Sequence, residues 1–140
     1  MLRRITSTHK TWATVPLRLA LGVIFIAHGA QKVFGAFGGR GLSAFLSAPA
    51  PLGLWPSWFW MGAAAFAELL GGVLVLLGLF TRLGALAIAG VMITAIFGVH
   101  RHAFFANQGG MEFPLALLSI AITLIYLGGG KLSVDANLRL

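Results

Sequence analysis

The stretch WFWMGAAAFAELLGGVLVLLGLF, Trp58 to Phe80, decides how the chain is read. A bilayer core of roughly 30 Å takes roughly 20 apolar residues of helix, and this run is long enough. It carries one ionisable side chain, Glu68, near its middle. A carboxylate at membrane depth is costly and needs a partner, so Glu68 marks a candidate functional site.

The rest of the chain agrees with a membrane setting. Of 140 residues, 59% are hydrophobic and 9% charged, and mean hydropathy is +0.93. An ordinary soluble domain is roughly 25% charged. Beside Trp58–Phe80 stand the apolar runs Val15–Phe37, Leu83–Val99 and Phe113–Gly128. The last two extend through their flanks to 83–102 and 112–128. Each run exceeds a barrel strand and lacks period-two alternation, so helices are expected. The expected fold is an all-α integral membrane protein, an antiparallel bundle of four transmembrane helices in one domain over residues 1–140. Gly35, Gly38, Gly39 and Gly41 would end the first helix, Thr81 and Arg82 would form a tight turn between the second and third, and Gly128–Gly130 would stop the fourth.

Ten cations against three carboxylates give a net charge of +7. They sit at helix ends: Arg3, Arg4, Lys10, Arg18, Arg82, Lys131 and Arg139 on one side, Lys32, Arg40 and Arg101 on the other. That imbalance predicts both termini on the cytoplasmic side of the inner membrane. It also predicts contacts with anionic lipid, whereas nucleic-acid binding is excluded for want of a basic stripe interleaved with aromatics. Arg3, Arg4 and Lys10 before an apolar run resemble a signal peptide, but Arg18, His28, Gln31 and Lys32 interrupt it, and no cleavage is expected. The chain has no cysteine, so a redox role requires a bound cofactor or redox partner proteins.

Polar residues converge on one half of the expected bundle. His28 and Lys32, four apart, share a helix face; His100 follows the third helix and Glu112 opens the fourth. The simplest arrangement has Glu68 facing His28, with Lys32 one turn above it and snorkelling outward. His28, Lys32, Glu68, His100 and Glu112 are the candidate ligand-binding residues. The rival reading is a buried polar network that only fixes helix register. Small-residue stripes at Ala64 and Gly72 and at Gly90, Thr94 and Gly98 read as close helix packing, as do Gly22 and Gly29. Leu42–Leu46, Trp55 and Phe59 form either an interfacial belt or a lid for an amphiphile such as a quinone. His100 and His102, with His28 and Glu68, were the only candidate metal set, and no metal-binding motif is present.

In order and spacing, Arg18-Leu-Ala-Leu-Gly22, His28-Gly29, Lys32, Glu68-Leu-Leu-Gly71-Gly72, Leu77-Gly78-Leu-Phe-Thr81-Arg82, His100 after the third helix, Glu112 at the start of the fourth and the terminal Gly-Gly-Gly-Lys-Leu-Ser133-Val134-Asp135 resemble the DoxX family. The resemblance runs from about Leu17 to Asp135. It implies a small four-helix membrane protein related to a subunit of a thiosulfate:quinone oxidoreductase and to oxidative-stress and thiol-handling assemblies. Arg18, Lys32, Glu68, Gly72, Arg82, Ser133 and Asp135 are the matching positions, and the resemblance gives none of them a catalytic role. Two functions follow as expectations: a component of a quinone-linked redox system, not a complete enzyme alone, or a non-catalytic scaffold that holds partners through its outer loops. Ser133 and Asp135 read as a structural cluster in which Asp135 pairs with Arg82 or Arg18, or Ser133 caps a short helix.

Overall fold

The computed structural model describes residues 1–138, which leaves Arg139 outside the described residues. Its helices are α1 (Leu2–Thr6), α2 (Thr14–Val33), α3 (Leu42–Ser47), α4 (Ser57–Leu77), α5 (Thr81–Gly98), α6 (Glu112–Leu127) and α7 (Val134–Asn137), with single 3-10 turns at Ala36–Gly38, Pro51–Gly53 and Ala106–Gln108. No strand occurs among the described residues. α2, α4 and α5 are long and apolar enough to cross a membrane; α6, at 16 residues, is a shorter apolar helix.

Helix boundaries differ from the hydropathy reading where backbone chemistry intervenes. The first long helix stops at Val33 rather than Phe37, because Gly35 enters the left-handed region at φ 67°. α4 ends three residues early. The amide of Gly78 donates to Val75 O and that of Leu79 to Leu74 O, a Schellman motif on a glycine at φ 68°. The turn is therefore Gly78–Phe80, and Thr81 and Arg82 already belong to α5. That helix stops at Gly98, short of residue 102.

The most extensive contacts join α2 to α4; α5 packs on both α4 and α6. Glycines set the approach at the first two interfaces. A Cβ on Gly22 would lie 2.7 Å from Leu76 Cβ, and one on Gly29 would lie 2.6 Å from Leu69 Cα and N. Residues seven apart on α2 thus meet residues seven apart on α4 in reverse order, which makes the pair antiparallel. Gly72 also faces α2, where a Cβ would lie 2.8 Å from Ile26 N, and Gly71 and Gly84 bring α4 against α5. Gly90 breaks the expected pattern: nothing lies within 4 Å of the position its Cβ would take. Gly98 packs on Pro51 in the connection between α3 and α4, not on α4.

These distances predict opposite outcomes for two equal substitutions. Gly29→Ala must separate α2 from α4 and is expected to cost about 1–3 kcal/mol; Gly90→Ala should leave stability unchanged or slightly raised, since a helical glycine gives way to alanine. Thermal unfolding of the two variants in one detergent checks the contrast.

Leu21, Phe25, Val75, Ile88, Leu117 and Leu124 meet in the core. Large apolar side chains such as Leu70, Leu86, Ile93, Phe97 and Ile122 instead point outward. Lipid would solvate that girdle.

Candidate ligand site

Glu68 lies in the middle of α4 and is 4% exposed. Its Oε2 is paired with Lys32 Nζ, from the last turn of α2. This is the one ion pair between a Lys or Arg and a carboxylate among the described residues. Lys32 does not snorkel outward. Side chains on a helix lean toward its N-terminus, so the long Lys32 side chain slants back along α2 to the depth of Glu68. Its ammonium is also 5.5 Å from the centroid of the Phe45 ring, close enough for a cation–π contact.

His28 was expected to face Glu68, but Lys32 takes that place. The His28 ring is exposed and stands 6.5 Å from the Phe25 ring. His100, just past α5, has Nδ1 2.7 Å from Gly109 O. Glu112 opens α6, where its amide donates to Phe104 O, and it borders neither of the cavities described next.

Two cavities meet at the Lys32–Glu68 pair. The larger, about 590 Å³, runs between α4 and α5. Its walls include Ala63, Ala64, Ala67, Ala87, Gly90 and Thr94, with Phe45, Pro51, Leu54 and Trp60 from the α3–α4 region. The stripe read as helix packing, Gly90 with Thr94, thus lines this cavity. Of the residues read as a possible lid, Phe45 lines the cavity and Trp55 and Phe59 do not. The smaller cavity, about 180 Å³, lies between α2, α5 and α6 and is bordered by His28 and His100. Among the described residues no three His, Asp or Glu side chains gather as a metal set.

The second polar cluster, expected around Ser133 and Asp135, forms at the opposite end of the bundle but with other partners than the sequence suggested. Arg18, 4% exposed, donates to five backbone carbonyls. Two, Val75 and Leu76, are in the last turn of α4; the others are Gly129, Lys131 and Leu132. Asp135, 3% exposed, accepts from the amides of Phe80 and Thr81 and from the Thr81 hydroxyl. A cation thus closes the C-terminus of α4 and an anion the N-terminus of α5, the signs that each helix dipole favours. No direct ion pair joins Asp135 to Arg18 or Arg82; Arg82 donates to Ser7 O instead. Ser133 caps α7 by accepting from Ala136 N. The resemblance names Arg18, Ser133 and Asp135 and includes Thr81 in a motif, but the run around Thr81 reads as a turn, and nothing in it shows that its hydroxyl meets Asp135.

Apolar helices long enough to span a bilayer, with an outward apolar girdle, define an all-helical membrane protein. The DoxX family model matches residues 13–101. Over 128 residues the chain is 34% identical to a protein of Bacillus subtilis (strain 168) named "Putative oxidoreductase CatD", with 87% of this chain and 84% of that protein covered. The chain belongs to the DoxX family. No solved structure matches it.

Proposed function

We propose that this chain is a quinone-binding component of a membrane redox system, and that the larger cavity seats the quinone with its head against Lys32 and Glu68. One observation carries the reading. A mainly apolar cavity of about 590 Å³ contains a single ammonium donor at membrane depth, and binding cavities of roughly 300–1,000 Å³ with a few placed polar groups are the usual ligand sites. Quinone carbonyls accept hydrogen bonds, Lys32 donates, and Glu68 holds Lys32 in place. The isoprenoid tail would leave between α4 and α5 into lipid, past Gly90. The name of the Bacillus relative is consistent with a redox role; electrons would come from or go to a partner protein, because this chain has no cysteine.

In this reading α6 is the fourth span. Sixteen residues cover about 24 Å, and Phe113 near its start and Tyr126 near its end supply aromatic groups at the two interfaces. Both termini sit with the α4–α5 turn, and the excess of Lys and Arg there supports a cytoplasmic orientation.

Gly90→Phe tests the seat without disturbing packing, since open space surrounds that position. A short-chain ubiquinone titrated into the detergent-solubilised protein should quench Trp60, which lines the cavity, in the wild type and not in the Trp60→Phe control. Gly90→Phe should weaken that quenching at least tenfold, equivalent to about 1.4 kcal/mol. Equal titrations for wild type and Gly90→Phe would contradict the assignment.

A further inference from the structure

The two cavities differ in what can fill them. The larger is walled mostly by alanine, glycine and aliphatic side chains and borders the outward-facing Leu86. Four titratable side chains face the smaller: His28 and Lys32 from α2, Glu68 from α4 and His100 beyond α5. α6 adds only Phe113, Pro114 and Leu117. A volume of about 180 Å³ exceeds several times the roughly 30 Å³ share of a water molecule, and although most of the lining is apolar, the four titratable groups supply the two to four polar partners that a buried water needs. Its rim includes the exposed His28 and Phe113, and it lies where α2 and α5 end and α6 begins.

We infer that the smaller cavity is a water-filled passage from solution, past His28 and His100, to the Lys32–Glu68 pair, while the larger cavity reaches the same pair from lipid. The pair is then a partition with a ligand side and an aqueous side. Intramembrane carboxylates facing water-filled cavities serve in proton relays. Here the passage gives Glu68 and Lys32 a route for exchanging protons with solution that does not cross the ligand seat. The inference rests on the quinone reading only for the identity of what fills the larger cavity.

The absence of cysteine makes every introduced thiol a unique probe. Met92 and Leu117 are buried and line the smaller cavity alone, whereas Gly90 and Ala64 line the larger alone. In lipid nanodiscs, a charged methanethiosulfonate should modify the Met92→Cys thiol at least about tenfold faster than the Gly90→Cys thiol, because thiolate forms in water and not in an apolar setting. Leu117→Cys repeats the test should Met92→Cys fail to fold. Adding His28→Phe should slow the Met92→Cys reaction by narrowing the passage. Fully buried Leu21→Cys, in the packed core, sets the unreactive baseline.

Modification of both smaller-cavity thiols at that baseline rate, or of Gly90→Cys as fast as of Met92→Cys, overturns the passage. This labelling requires no quinone. A dry smaller cavity with intact ubiquinone quenching therefore defeats the passage alone, and a wet one with no quenching defeats the ligand assignment alone.

Discussion

Arg18→Ala is expected to lose about 3–5 kcal/mol of stability, the range for removing one member of a buried charged network. Five carbonyls accept from this guanidinium, and water cannot readily replace it at a site 4% exposed. Arg18 also tethers the Gly129–Leu132 segment to the end of α4, so its loss should loosen the docking of α7 and leave Asp135 free to leave the N-terminus of α5. Arg18→Lys should recover little. An ammonium has three donors on one point, whereas the guanidinium fork reaches carbonyls on two separate segments. Asp135→Asn should also destabilise, because both carboxylate oxygens accept from N–H or O–H groups and the amide keeps only one of them, turning its NH2 toward the other donor; a buried donor left unpaired costs about 1–3 kcal/mol, beside the lost charge at the helix N-terminus. Thermal unfolding in a mild detergent gives the order. A stability for Arg18→Ala within 1 kcal/mol of wild type, a scale set by exposed charges, would show that these bonds are replaced by solvent.

The Lys32–Glu68 pair should respond asymmetrically. Lys32→Met strands a carboxylate that is 4% exposed, so its cost should fall near 3–5 kcal/mol. Glu68→Gln strands the lysine instead, but the Lys32 side chain is 24% exposed and can turn outward to the interface. Its cost should be clearly smaller. The double variant Lys32→Met, Glu68→Gln removes both charges at similar volume and should regain most of the stability lost in Lys32→Met, as neutral replacements of buried pairs do. Ligand retention should not return with it. Stability and binding then separate, which a pair serving only helix register would not produce. Unfolding midpoints for the three variants, each measured beside quinone retention, provide the comparison.

The parts of this architecture visible in the sequence are those governed by solvent. Hydropathy located α2, α4, α5 and α6, because the length of an apolar run reports directly on the bilayer. Boundaries escaped it. Gly78 and Gly35 end helices through left-handed backbone, and α5 begins at Thr81 because Asp135, 54 residues later, caps its first amides. A remote cap leaves no local mark. Lys32 and Glu68 were legible as expensive polar residues, yet their pairing depended on the backward lean of a helical side chain, which favours Lys32 over the nearer-looking His28. Gly90 shows the limit of small-residue patterns: its spacing matches a packing stripe, and only the position of α4 reveals that nothing packs on it. Membership of the DoxX family, by contrast, was carried by ordered motifs that need no three-dimensional information.

The most direct test of the ligand seat is native mass spectrometry of the protein released from a mild detergent, comparing wild type with the folded Lys32→Met, Glu68→Gln double variant. The account predicts a wild-type chain carrying one extra mass, identified after release as a quinone, and a double variant at the bare chain mass. A bare wild-type chain with a co-purifying protein, or the same quinone retained equally by both, would contradict it.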